Sequence, residues 1–132
     1  MAILNAMFFD IGNTLGEVHP ETLQLRMYAD MEPILRGVHA LGLRVGVITN
    51  VARDVTKERV RTMLRDAGIL DVFEDAAIVT STEAGTFKPD LGIYQYAARM
   101  ADLEPQRCIY VGEDPVQVAA AIAAGMHGIL KN

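Results

Sequence analysis

Short, mainly apolar runs recur at five places in this chain, at residues 3–9, 43–48, 76–79, 108–111 and 128–130. Each is bounded by polar or turn-forming residues, and stretches of helical character stand between them. Runs of this length are too short for buried helices and lack the in–out alternation of a half-buried strand, so they read as strands covered on both faces. Between the first two runs, Ile34, Leu35, Val38 and Leu41 repeat at helical spacing after Pro33 and stop at Gly42. Residues 53–67 form a second helical stretch, closed by Gly68, with Val55, Val60, Met63 and Leu64 as its inner face. A third opens at Lys88-Pro89-Asp90, with Asp90 placed as its cap and Ile93, Ala97 and Met100 on one face. A fourth, Ala-rich, begins at Pro115 and ends at Gly125. Residues 16–30 show no sustained pattern and read as a loop with room for a small hairpin or a helical turn. Strand and helix in strict alternation, joined by right-handed crossovers, give a parallel sheet between two helical layers. The predicted fold is a three-layer α/β/α sandwich.

Size permits one core and no more, so residues 1–132 are read as one domain. Apolar residues make up 51% of the chain, with no Trp, four Phe and four Tyr, so the core is mainly aliphatic. The net charge is −5, and the basic residues of the segment 53–65 are interleaved with Asp54 and Glu58. That pattern argues against a nucleic-acid partner. Cys108 is the only cysteine, which excludes an intramolecular disulfide, and its apolar neighbours suit a small buried side chain better than a reactive thiol. No apolar run approaches the length of a membrane span. The expectation is a soluble, cytoplasmic protein with no membrane partner.

The polar residues that end the strands carry the chemistry. Asp10, Thr49-Asn50 and Glu113-Asp114 each follow an apolar run directly, so all three sets belong to the carboxyl edge of the sheet, where ligands bind in open α/β folds. Lys88, shortly after the third strand, can reach the same crevice. Each has an ordinary explanation. Asp10 before Gly12-Asn13 could cap a turn, Thr49-Asn50 could merely end a strand, Lys88 could be a surface lysine, and Glu113-Asp114 before Pro115 could favour a helix N-terminus. Four sets converging on one edge point instead to phosphoryl transfer. A carboxylate can attack phosphorus, a divalent cation offsets the repulsion between the two anions, and a hydroxyl with backbone N–H groups can bind the transferring oxygens. An ammonium group steadies the developing charge. His19, His39 and His127 lack metal-ligand spacing.

Asp10-Ile-Gly-Asn-Thr14, Thr49-Asn50, Phe87-Lys88-Pro89-Asp90 and Gly112-Glu113-Asp114 resemble, in order and spacing, the four motifs of the haloacid dehalogenase (HAD) superfamily. The resemblance spans nearly the whole chain. It implies a Rossmann-like core with strand order 5-4-1-2-3 and a Mg²⁺-dependent phosphatase acting on a phosphorylated substrate. Asp10 would be nucleophile and metal ligand, and Thr49 and Asn50 would bind the phosphoryl group. Lys88 would steady charge on both nucleophile and substrate, and the Gly12 carbonyl, Glu113 and Asp114 would complete the metal site.

The resemblance has gaps. Phosphatases of this superfamily mostly carry a second Asp, the general acid and base, where this chain has Gly12; Glu17 or a metal-bound water is a substitute to consider. Glu113 stands for the usual first Asp of the fourth motif, and Gln117 or Val116 falls where a second Asp is common. Neither interval that usually holds a cap domain has room for one, which implies an open cleft, suited to large substrates or to closure by a second copy of the chain. The dehalogenase reaction also dispenses with the second Asp, but it needs a cap around its small substrate. Two readings therefore stand side by side: a phosphatase working through an aspartyl-phosphate, and a domain that keeps the fold and part of the pocket for binding or regulation.

Overall fold

The computed structural model describes residues 3–131; Met1, Ala2 and Asn132, part of the predicted domain, lie outside them. The elements run β1 (Ala6–Phe9), β2 (Gly16–Val18), β3 (Leu25–Met27), α1 (Met31–Ala40), β4 (Arg44–Thr49), α2 (Lys57–Asp66), β5 (Phe73–Thr80), α3 (Ser81–Ala84), α4 (Leu91–Met100), β6 (Cys108–Gly112), α5 (Pro115–Ala123) and β7 (His127–Leu130). Five parallel strands form the sheet in the order β5-β4-β1-β6-β7. Once β2 and β3 are set aside, this is the predicted order 5-4-1-2-3 read from the other edge. β2 and β3 pair with each other as an antiparallel hairpin, which resolves the unpatterned stretch after β1. No cap domain interrupts the described residues.

Both faces of the sheet are covered, and neighbouring residues on a strand divide between them. Phe9, Val47, Ile78 and Val111 pack with α1 and α2 on one side, and Phe8, Ile48, Val79 and Tyr110 pack with α4 and α5 on the other. Gly46, mid-strand in β4, has a steric reason: a Cβ there would lie 2.4 Å from the Ala77 carbonyl oxygen and 2.8 Å from the Phe8 ring. Cys108 is fully buried, and burial pushes its thiol up to about 11. No described helix is long and apolar enough to cross a membrane.

Several boundaries differ from the sequence reading. The first strand begins at Ala6, and Ile3 is exposed. α2 starts at Lys57 rather than Arg53, because the Thr56 hydroxyl accepts from Arg59 N at 3.1 Å and caps the helix there. The inner face of α1 follows Met31 and Leu35, leaving Ile34 43% and Leu41 80% exposed. Met100, at the last turn of α4, is 44% exposed. The polar run after β5 forms the single turn α3, capped by Thr80, whose hydroxyl accepts from Glu83 N at 3.1 Å.

Candidate active site

β1 pairs with β4 on one side and β6 on the other, with Phe9 opposite both Val47 and Val111. That register brings the residues following all three strands to one edge. Asp10 leaves β1 there, its own N–H donating to the Val111 carbonyl at 2.9 Å. Its Oδ1 accepts from Ile11 N at 2.8 Å and from Lys88 Nζ at 2.8 Å. Among the described residues, nothing donates to Oδ2.

The lysine is held from several directions. Its side chain is 1% exposed, against 14% for Asp10. Burial pulls the ammonium below the ordinary lysine value, and the Asp10 charge works against that pull. The Asn50 side chain fixes the Lys88 backbone at two points: Asn50 Nδ2 donates to the Lys88 carbonyl at 3.1 Å, and Lys88 N donates to Asn50 Oδ1 at 2.9 Å. On the other face of the sheet, Lys88 Nζ also donates to the Tyr110 hydroxyl at 3.0 Å. Tyr110 donates in turn to Gln117 Oε1 at 3.3 Å, and the Tyr94 hydroxyl donates to the Gln117 carbonyl at 2.8 Å. The two tyrosine rings meet edge to face at 5.3 Å. Burial, with the nearby Asp10 charge, raises the Tyr110 phenol well above its usual range, so it stays a neutral donor and acceptor.

A cavity of about 350 Å³ opens on this edge. Asp10, Gly12, Thr49, Asn50, Lys88 and Gln117 form its polar end. Thr49, buried at the end of β4, thus lines the same cavity as Asp10 and Lys88. The rest of the wall is apolar, from Val18 and Leu23 of the hairpin and from Val51, Val55, Val60 and Met63.

The acidic pair behaves differently. Asp114 Oδ1 accepts from Val116 N at 2.8 Å and from Gln117 N at 3.4 Å, which caps α5. Glu113 makes no side-chain hydrogen bond among the described residues. Both are half-buried, neither lines the cavity, and their charge is nonetheless felt at Lys88. No group of three or more His, Cys, Asp or Glu side chains able to hold a metal occurs among the described residues. Mg²⁺ does not require one, because it keeps several waters and takes one or two carboxylates. Asp10 Oδ2, the Gly12 carbonyl and one carboxylate of the 113–114 pair are oxygen donors of that kind, so the donor chemistry fits.

Two further sequence expectations are corrected or narrowed. Glu17 cannot stand in for the acid at position 12: it faces outward on β2, paired with Arg26 at 2.8 Å, while its neighbour Val18 faces the cavity. Of Gln117 and Val116, only Gln117 reaches the site; Val116 is exposed. Sequence reasoning missed Tyr110 and Tyr94. For Tyr110 the available signal was a tyrosine inside an aliphatic strand, since a buried phenol needs a partner; Tyr94, in α4, offered no such signal.

The chain matches the family model described as haloacid dehalogenase-like hydrolase over residues 5–131. It is 35% identical over 113 residues to the human haloacid dehalogenase-like hydrolase domain-containing protein 3, which covers 85% of this chain and 41% of that protein. It is 32% identical over 109 residues to a glyceraldehyde 3-phosphate phosphatase of Methanothermobacter thermautotrophicus, covering 82% of this chain and 46% of the relative. Among solved structures, a HAD phosphatase from Thermococcus onnurineus superposes with a TM-score of 0.68 at 27% identity, over 82% of this chain and 47% of that one. A dehalogenase crystal structure superposes with a TM-score of 0.84 at 16% identity, over 100% of this chain and 86% of that one, a likeness of fold alone. The chain spans less than half the length of these two curated relatives.

Proposed function

Because this chain belongs to the haloacid dehalogenase-like hydrolases, we propose that it is a Mg²⁺-dependent phosphatase that cleaves phosphoric monoesters through an aspartyl-phosphate on Asp10. The observation that carries this reading is the 2.8 Å contact between the buried Lys88 ammonium and Asp10 Oδ1. With Oδ1 engaged by Lys88 and by Ile11 N, Oδ2 is the oxygen left to attack phosphorus. Lys88, immobilised by Asn50 and Tyr110, offsets the carboxylate charge before attack and the phosphoryl charge during it. The Thr49 hydroxyl and the Asn50 backbone N–H bind the non-bridging oxygens of the transferring group. Asp10, the Gly12 carbonyl and Glu113 or Asp114 would hold Mg²⁺, which neutralises charge between two anions that otherwise repel. The substrate in this reading is a phosphorylated molecule met in the cytoplasm, and a second copy of the chain is the candidate for closing the open cleft.

The test is Mg²⁺-dependent hydrolysis of p-nitrophenyl phosphate by the wild type and by Asp10→Asn, with beryllium fluoride used to trap the acyl-phosphate geometry on Asp10. Turnover that survives Asp10→Asn, or an Asp10 that never takes up beryllium fluoride in Mg²⁺, would return the chain to the binding or regulatory reading.

A further inference from the structure

The cavity holds a nucleophile but no acid. Asp10 and Lys88 are the only titratable side chains that line it among the described residues. Position 12 is glycine, Glu17 faces outward to Arg26, and Glu113 and Asp114 lie outside the lining. Lys88 gives two of its three ammonium N–H bonds to Asp10 Oδ1 and the Tyr110 hydroxyl, and with its side chain 1% exposed it is held against the nucleophile rather than the leaving group. No side chain lining the pocket is then placed to protonate an ester oxygen leaving phosphorus, and water, free or metal-bound, is a far weaker acid than a carboxylic acid, so the oxygen departs largely as an anion. A phenol ionises near pH 10, as tyrosine does, whereas an alcohol lies close to water, at about 15.7. The pocket can expel a phenolate far more readily than an alkoxide.

The walls point the same way. Beyond the polar end, the cavity is bounded by Val18, Leu23, Val51, Val55, Val60 and Met63, and no arginine, histidine or second lysine lines it among the described residues. A substrate remainder carrying a carboxylate or a second phosphate would find no countercharge there. A ring would bury apolar surface, at roughly 25 cal/mol per Å² removed from water. Leu23 adds to this wall from a backbone with φ of 59°, a conformation that costs an L-residue roughly 1–2 kcal/mol and that glycine or asparagine would adopt more cheaply.

We propose, resting on the phosphatase reading, that the site takes aryl phosphate monoesters: one phosphoryl group on an uncharged, apolar aromatic leaving group. In the first step the Asp10 Oδ2–P bond forms as the P–O(aryl) bond breaks. The electron pair leaves on the aryl oxygen as phenolate, which takes a proton from solvent. In the second step a water oxygen bonds to phosphorus and the P–Oδ2 bond breaks. Its electron pair returns to the Asp10 carboxylate, and inorganic phosphate leaves with the water's proton passed to phosphate or solvent. The choice differs from what two relatives are named for, glyceraldehyde 3-phosphate and phosphoglycolate.

The experiment compares kcat/KM in Mg²⁺ for substituted phenyl phosphates, methyl phosphate and phosphoglycolate, in the wild type and in Gly12→Asp and Gly12→Asn. A Cβ at Gly12 meets nothing within 4 Å and its backbone is not left-handed, so both variants fit. The wild type should fall steeply in rate as the leaving-group pKa rises, with phenyl esters at least about 100-fold above methyl phosphate. Gly12→Asp should raise the methyl ester by about 100-fold or more and flatten that dependence; Gly12→Asn should give no such gain. Methyl phosphate or phosphoglycolate turned over as fast as phenyl esters would overturn the substrate assignment and leave the phosphatase reading intact. So would a Gly12→Asp that gains nothing on methyl phosphate. Failure of every ester, together with no beryllium fluoride on Asp10, would remove both.

Discussion

The site has two halves built to different standards. On one side, Lys88 is enclosed, hydrogen-bonded to Asp10 and Tyr110, and fixed through its backbone by Asn50. On the other, Glu113 and Asp114 are half-buried, and one of the two already has a structural job as the cap of α5. The half that would handle the phosphoryl anion is thus preorganised by protein groups alone, while the half that would handle the cation leaves most of its coordination to solvent. This matches the chemistry of each ligand. A buried ammonium needs fixed partners to stay charged in a low-dielectric pocket, and Mg²⁺ tolerates few protein ligands because it gives up its waters reluctantly.

By this contrast, substitutions in the enclosed half should hurt more than those in the open half. Asp10→Asn should have the largest effect, lowering kcat for an aryl phosphate by a factor of about 10⁴ or more, since the attacking group itself is gone. Lys88→Met should follow, with a loss of about 10²–10³-fold in kcat and a smaller change in KM, because in the proposed reaction its charge acts mainly as charge develops on the phosphoryl group. Steady-state kinetics on purified variants, each checked by circular dichroism, measures both. Equal losses on the acidic side would break the comparison.

Tyr110→Phe sharpens it. The variant keeps the ring and its contact with Tyr94 but removes the hydroxyl shared by Lys88 and Gln117. It should lower stability by about 1 kcal/mol and kcat by roughly tenfold, with KM little changed. Tyr94→Phe removes a hydroxyl bonded, among the described residues, only to the Gln117 carbonyl and should cost similar stability with a smaller loss in kcat. Denaturant titrations beside kinetics separate the two, and equal kcat losses would reduce Tyr110 to a packing role.

The two halves also differed in how far the sequence revealed them. Asp10 and Thr49 were legible because strand periodicity places whatever follows a buried parallel strand at one edge, and the register of β1 with β4 brings them together. Lys88, in the loop after β5 and α3, was legible only as a residue able to reach that crevice, and its contact with Asp10 shows that it does. The Asn50 side chain and Tyr110 were not. Their partners lie 38 and 22 residues away in sequence, and such pairing depends on side-chain direction rather than pattern. Glu113-Asp114 read equally well as metal ligands or as a helix-start signal, and spacing cannot separate uses that call for the same residue at the same place. Element limits slipped for local reasons, as where Thr56 captured the start of α2. Gly12 was legible as an absence, but only the outward turn of Glu17 showed that no neighbour fills it.

The smallest effects are expected in the acidic pair, where the two residues should part company. Asp114→Ala removes a side chain that satisfies two backbone N–H groups at the start of α5 and should cost about 1 kcal/mol. Asp114→Asn retains the capping oxygen and should stay within about 0.5 kcal/mol of the wild type. Glu113→Ala, with no hydrogen bond to lose among the described residues, should likewise leave stability within about 0.5 kcal/mol. Titrating Mg²⁺ against activity then reads the other function. If Glu113 supplies the ligand and Asp114 chiefly the cap, Glu113→Ala raises the Mg²⁺ concentration for half-maximal rate severalfold while Asp114→Asn barely moves it. The reverse ranking would make the capping carboxylate a metal ligand as well, through the oxygen that α5 leaves free, and the two halves of the site would then be linked through a single residue.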